Sequence, residues 1–142
     1  MPEFGVRIAD WTRDRDALAH IRRTVFIDEQ GVPENLEWDT DDAGAVHFLA
    51  VLEDGTPAGC ARLLPDGHVG RMAVLPAWRR HGIGRALLDA VTREARARGH
   101  RALRLSAQTH AAGFYARAGF ATEGAGYEEA GIPHVAMHKT LD

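Results

Sequence analysis

The 142 residues predict one domain, 1–142, of mixed α/β type: an α+β mixed sheet with the element order β-α-β-β-β-α-β-α-β-β. Three observations carry this expectation. Apolar residues recur at helical spacing in two separate stretches, 17–26 and 83–95. Between them, three strand-like segments follow one another through strong turn signals. A strand, a short helix and two further strands then close the chain.

Residues 4–9 alternate as a half-buried strand does. Thr12 or Asp14 can cap a helix whose Ala17, Leu18, Ile21, Val25 and Phe26 share one face. Residues 31–44, GVPENLEWDTDDAG, are rich in turn formers and acids and read as a loop with room for one helical turn. VHFLAVLE and TPAGCARLLP, joined at Asp54-Gly55, form a hairpin. Pro65-Asp66-Gly67 turns the chain into the strand HVGRMAV, which Pro76 ends. A long helix spans about Gly82 to Arg98, with Ile83, Ala86, Leu87, Ala90, Val91 and Ala95 as its apolar stripe and Gly99 as its stop. RALRLSA is a strand, THAAGFYARAG a short helix, and strands near 121–128 and 134–140 complete the order; there is no repeat and no linker.

The composition, 45% hydrophobic and 26% charged, is that of an ordinary soluble domain. The opening residues MPEFGVRIAD lack the apolar core of a signal peptide, and the run AGAVHFLAVL is too short to span a bilayer, so neither secretion nor a membrane is expected. A single cysteine, Cys60, excludes an internal disulfide, fits a reducing cytoplasm and is expected to be a small core residue on a strand. The net charge of −3 conceals a segregation: residues 1–61 carry −8, residues 62–117 carry +8 and the tail −3. A basic middle could serve nucleic acid, but no aromatic-interleaved basic helix accompanies it; a compact polyanion such as a nucleotide cofactor fits equally well.

Arg79, Arg80 and His81 stand directly before Gly82 and Gly84, where the long helix begins. Cations crowd a helix N-terminus badly because that end is already partly positive, so an anion is expected there. Free backbone N–H groups at such an end bind phosphate, and glycines let it approach. The same turn also suits tight helix–strand packing. A dinucleotide fingerprint would need glycine where Leu87 stands, and a P-loop would need Gly-Lys-Ser/Thr.

The segment Arg79-Arg80-His81-Gly82-Ile83-Gly84, R-x-x-G-x-G between a strand and an amphipathic helix, resembles the acetyl-CoA-binding motif of the GNAT N-acetyltransferase superfamily. LRLSAQTHAAGFYARAGF is similar to that superfamily's second block, with its FY-x-x-x-GF ending. The flanks FIDEQGVPENLEWDTDD and EEAGIPHVAMHK resemble the small ElaA-like bacterial branch. The resemblance implies a GNAT-like acyl-CoA N-acyltransferase fold and an enzyme that moves an acetyl group from acetyl-CoA to a primary amine by direct attack. The acceptor is a small-molecule or peptide amine; no nucleic acid, membrane or metal is implied, and the protein is a monomer or homodimer. A non-catalytic acyl-CoA-binding or sensing domain is the alternative.

On this reading the N–H groups of residues 80–85 hold the pyrophosphate, with Arg79, Arg80 and Arg85 screening the phosphates. Met72, Ala73 and Val74 pair edge-on with the pantetheine arm, and one of their N–H groups polarises the thioester carbonyl. Tyr115 is the general acid, because a phenol of pKa ~10 stays a donor at neutral pH. Gln108, Ala111 and Tyr115 share a face if the helix begins by Gln108, and Phe114 packs beside the cofactor. The superfamily often has Asn where Gln108 stands. For the base, Glu29, Glu34 and Glu37 in the acidic segment and Glu128, Glu129 and His134 near the final hairpin are candidates; Glu129 and His134 are carried as catalytic, and Glu29, Glu34 and Glu37 as substrate-binding. The collective negative charge of residues 28–42 is expected to attract a cationic amine. His134 and His138 lie about 13 Å apart on a strand, too far to share a metal ion.

Overall fold

A computed structural model describes residues 3–142; Met1 and Pro2 of the opening stretch lie outside the described residues. The elements are β1 (Phe4–Ala9), α1 (Arg15–Arg22), α2 (Glu34–Glu37), β2 (Val46–Leu52), β3 (Pro57–Leu63), β4 (His68–Val74), α3 (Ile83–Ala97), β5 (Ala102–Gln108), α4 (Ala112–Arg117), β6 (Ala121–Glu129) and β7 (Ile132–Thr140). They reproduce the expected order, with α2 as the one helical turn in the acidic loop and a 3-10 turn at Thr40–Gly44 after it. The seven strands form one mixed sheet, β1-β2-β3-β4-β5-β7-β6, antiparallel except between β4 and β5. No helix among the described residues is long and apolar enough to cross a membrane.

The period-two alternation of β2 and β3 sends neighbouring side chains to opposite faces, and each face receives one helix. Phe48, Ala50 and Ala61 pack against Ile83, Leu87, Leu88 and Val91 of α3. Leu49, Cys60 and Ala73 pack against Leu18 and Ile21 of α1 and the following Val25. Each large aliphatic side chain buried in this way contributes roughly 1.5–3 kcal/mol. Cys60 is 1% exposed, its Sγ donates to the Arg71 carbonyl at 3.2 Å, and burial pushes the thiol up to about 12.

Three local expectations are corrected. Asp14 occupies the N-cap position of α1 without capping it: its carboxylate takes two bonds from Arg7 and one from the Asp10 N–H instead. Thr12 belongs to the preceding turn, its N–H held by the Asp10 carboxylate. After Arg22 the first helix widens into a π-helix, Arg23–Glu29, which carries Val25 and Phe26 onward on a shifted face. Gln108 ends β5 rather than opening a helix, and Thr109–Ala111 form a 3-10 turn before α4.

The sheet opens in its middle. β4 and β5 share only the pairs His68↔Arg104 and Val69↔Leu105, then diverge. On its other edge β4 bulges: Cys60 pairs with Ala73 and Arg62 with Gly70, so Ala61 faces both Arg71 and Met72. Arg71 takes the left-handed conformation at φ +49°, which re-aims its side chain. At the far edge all nine residues of β6 are exposed, and its pairing with β7 slips between Glu123 and Tyr127, where Gly124 has φ +70°.

Candidate functional site

The divergence of β4 and β5 creates a cleft of about 770 Å³. β4 supplies one wall through Gly70, Arg71, Met72, Ala73 and Val74, and β5 with α4 supplies the other through Ser106, Gln108, Phe114 and Tyr115. Past Val69 the β4 edge facing the cleft has no strand beside it among the described residues, so its backbone groups are available to a ligand.

At one end the cleft meets the start of α3. Gly82, the N-cap, has φ +83°, and among the described residues no side chain caps the helix, leaving the first N–H groups of a 15-residue helix unclaimed. A Cβ on Gly84 would lie 3.4 Å from Phe114 Cζ and 3.8 Å from Val74 Cγ2, so this turn of α3 approaches the wall closely. Gly84 and Arg79 line the cleft. Arg80, at φ +68°, and Gly82 are exposed in the turn around half-buried His81; Ile83 turns its side chain into the core, and Arg85 pairs outward with Asp89 at 3.1 Å. Arg79 is already occupied: its Nε donates to the Val74 carbonyl at 2.9 Å, and its Nη atoms hold Glu29 at 2.8 and 2.6 Å. That hydrogen-bonded pairing holds the Glu29 carboxyl below its ordinary range.

Midway, the Tyr115 hydroxyl points at Met72 Sδ, 3.7 Å away, with Phe114 and Phe120 edge-on to its ring at 5.1 and 6.0 Å. Burial pushes this phenol up to about 12, so it remains protonated throughout the neutral range. Gln108 donates across the cleft to Gln30 at 2.6 Å. Thus Gln108, Ala111 and Tyr115 do converge, through the cleft they all line rather than through one helical face.

From β7, His134 enters the same cavity at 7% exposure, its ring stacked on Tyr127. Its Nδ1 lies 2.7 Å from the Ile132 carbonyl, which requires a proton on Nδ1, so that in the neutral ring Nε2 is the acceptor nitrogen. Glu129 also lines the cleft, its carboxylate 3.6 Å from Nε2. Ser106 Oγ and the Tyr127 hydroxyl are hydrogen-bonded beside them.

The acids of residues 28–42 are not a free negative field. Glu34, exposed, pairs with Arg23 at 2.6 Å. Glu37 is 3% exposed; its Oε2 takes Arg22 Nε at 2.8 Å and Arg71 Nε at 3.0 Å. Arg22 also holds Asp42 at 2.8 Å, and Arg62 bridges Asp39 and Asp42 at 2.8 and 3.0 Å. Arg71 completes the network with Asp39 at 3.1 Å. Burial pushes the Glu37 carboxyl up against the pull of Arg22 and Arg71, whereas at Asp42 the arginines outweigh burial and hold the carboxyl low. The acids of this loop are thus largely paired internally, by Arg22 and Arg23 and by Arg62, Arg71 and Arg79 of the basic middle.

Sequence reasoning did not anticipate this network. One signal was present: Arg22 stands four residues after Leu18 and three before Val25, a core position of an apolar stripe, and an arginine there needs buried acids. Gln30 gave no signal, because its partner lies 78 residues away.

A family model described as an acetyltransferase (GNAT) domain matches residues 12–141. A provisionally named acetyltransferase of Bacillus subtilis is 36% identical over 135 residues, covering 92% of each chain. An acyl-CoA N-acyltransferase from Pseudomonas aeruginosa has a similar structure, with a TM-score of 0.84, 28% identity, and coverage of 99% of this chain and 100% of that one. Escherichia coli ElaA aligns with a TM-score of 0.82 and 28% identity over 98% of this chain and 99% of its own.

Proposed function

The chain belongs to the GNAT acetyltransferase family, whose fold implies an acyl-CoA cosubstrate, and from that premise we propose an acetyl-CoA-dependent N-acetyltransferase that acylates a primary amine by direct attack. One observation carries this reading: the uncapped N-terminus of α3 and the Tyr115 hydroxyl open onto one cleft, joined by the unpaired edge of β4.

The residues fit such a cosubstrate. The N–H groups at the start of α3 receive the pyrophosphate, and the glycines at 82 and 84 keep side chains away from it. Arg79 exchanges the Glu29 carboxylate for a phosphate, and Arg80 and Arg85 screen from outside. The β4 backbone from Met72 to Val74 pairs with the amide-bearing arm, Gln108 leaving Gln30 to assist, while Phe114 bounds the groove. Bound in this way, the thioester supplies an activated acetyl group.

In the neutral ring, His134 Nε2 accepts the proton lost by the amine as its nitrogen bonds to the acetyl carbon. Glu129 stabilises the imidazolium that results. The Tyr115 hydroxyl donates to the sulfur as the carbon–sulfur bond breaks. A thiolate of ordinary pKa ~8.5 does not by itself strip a phenol held at about 12, so proton delivery runs together with proton loss from the amine. The site residues, the amine acceptor and a cytoplasmic location are parts of the same proposal.

The test is calorimetry with acetyl-CoA, then coenzyme A release with a panel of primary amines, for wild type and Tyr115→Phe. Acetyl-CoA binds both proteins alike, and kcat falls by ~10²-fold in the variant. Near-normal turnover would remove Tyr115 from the mechanism. Tight binding without turnover of any amine would favour a sensing domain.

A further inference from the structure

The acceptor end of the cleft is built around an arginine that is pinned on one side and free on the other. Arg71 Nε donates to the Glu37 carbonyl at 3.3 Å and faces its carboxylate at 3.0 Å. Nη2 reaches the Leu36 and Glu37 carbonyls and Asp39 at 3.4, 2.9 and 3.1 Å. Nη1 has no hydrogen-bond partner among the described residues and is not sealed from solvent. Its two N–H groups are therefore held in place without an acceptor, on a residue that lines the cleft.

The charges around it are unevenly arranged. Arg22, Arg62 and Arg71 balance Glu37, Asp39 and Asp42 in number, so the network as a whole is neutral. Of this network Arg62, Arg71 and Glu37 line the cleft and Asp39 and Asp42 do not, so it contributes two cations and one anion to the wall, while Arg79 and Glu129 elsewhere in the lining add one charge of each sign. The Arg62 side chain is 6% exposed, and its Nε is a second donor without a partner in the same wall. A buried donor of this kind favours an anion nearby. Arg71 takes a left-handed φ of +49° at this wall, and such strain is retained where the surroundings enforce it.

We infer that the acceptor carries a carboxylate as well as its amine, and that Arg71 Nη1 binds it with Arg62 behind; this rests on the acetyltransferase reading above. Arg62, Arg71, Met72 and Tyr115 line one cavity, and Met72 Sδ is the atom that the Tyr115 hydroxyl touches, so a carboxylate held at Arg71 belongs to the same cleft as the proton donor. The substrate class is an amino acid, in place of the cationic amine that the acidic loop suggests in sequence.

The test compares the proteinogenic α-amino acids, β-alanine and 4-aminobutanoate with the corresponding primary amides, each as acceptor for wild type, by coenzyme A release. The expected result is a kcat/KM at least about tenfold higher for the best acid than for its amide, the size of one charge-assisted hydrogen bond. In Arg71→Gln that ratio falls to about one, and thermal melting establishes that the variant is folded. The wild-type ratio stands without the variant if it does not fold. Amides equal to or better than the acids, or acetyl-CoA binding with no acid acetylated, would overturn the carboxylate site while leaving the acetyl-CoA reading in place. Failure to bind acetyl-CoA by calorimetry would instead overturn the reading on which it rests.

Discussion

Glu34 and Glu37 stand three residues apart on the same single turn of helix, α2, and nothing local to the sequence separates them. Replacing each in turn by Gln is expected to give opposite results. Glu37→Gln takes one charge out of a network in which Arg22 is 1% and Arg62 6% exposed, leaving three cations, two of them buried, against two anions. Removing one partner of a buried pair costs ~3–5 kcal/mol. The Gln amide oxygen still accepts from one arginine, so the lower end, about 3 kcal/mol, applies. Unfolding entropy of ~2.1 cal/mol/K per residue amounts to roughly 300 cal/mol/K for this length, so Tm falls by about 10 °C. Glu34→Gln should leave Tm unchanged, because Glu34 and Arg23 are 59% and 46% exposed and water already serves them. Calorimetric melts at low and at 1 M salt provide the assay, and the Glu37 deficit should persist in salt because buried pairs are screened little. Melting of the two variants within about 3 °C of each other would refute the assignment of Glu37 to a buried ionic network.

Three further outcomes are expected. Gly84→Val sets branched methyls where a bare Cβ already meets Phe114 at 3.4 Å, and should weaken acetyl-CoA binding by ~10-fold or more; unchanged affinity by calorimetry would argue against the α3 turn as the phosphate site. His134→Ala should lose most turnover and regain part of it with added imidazole, whereas a purely structural role for the ring gives no rescue. The Arg7 hydrogen bonds hold the Asp14 carboxyl at about 2 against an ordinary 3.8, a depressed value, so its contribution is complete above about pH 4 and lost as pH falls through 2. Asp14→Asn should therefore be less stable than wild type by roughly 1–2 kcal/mol at neutral pH, in urea melts, with the gap closing between pH 4 and 2.

The order of elements was legible because each rests on local chemistry: alternation for β1, turn signals for the hairpins of β2 to β4, a stripe of aliphatics for α3, Gly99 to end it. The start of α3 could be read as an anion site for the same reason, since glycine spacing and helix polarity act over a few residues. Gln108 was assigned to the right cavity by the wrong geometry, because a 3-10 turn and a helix differ little in sequence over three residues. Arg62 and Arg71 were not legible as site residues because the register shift between the neighbouring strands β3 and β4, which sits at these two residues, leaves no mark in the residue pattern. The acidic loop was legible as charge and not as structure: which acids would be neutralised depended on Arg22, Arg62 and Arg71 arriving from other elements.

The outermost strand, β6, shows all nine of its residues to solvent, and a bare strand edge of that length is a template on which other chains can polymerise. Its irregularity works against this. Gly124 in the left-handed region and the slip between Glu123 and Tyr127 interrupt the even ladder of donors and acceptors that a second strand would need. Glu123, Glu128 and Glu129 add like charges that would meet their own copies across an edge-to-edge contact. The defect in that strand makes it a poor template for edge-to-edge pairing, and a variant with Gly124 replaced by a β-branched residue and the three glutamates neutralised is expected to aggregate more readily than the wild type.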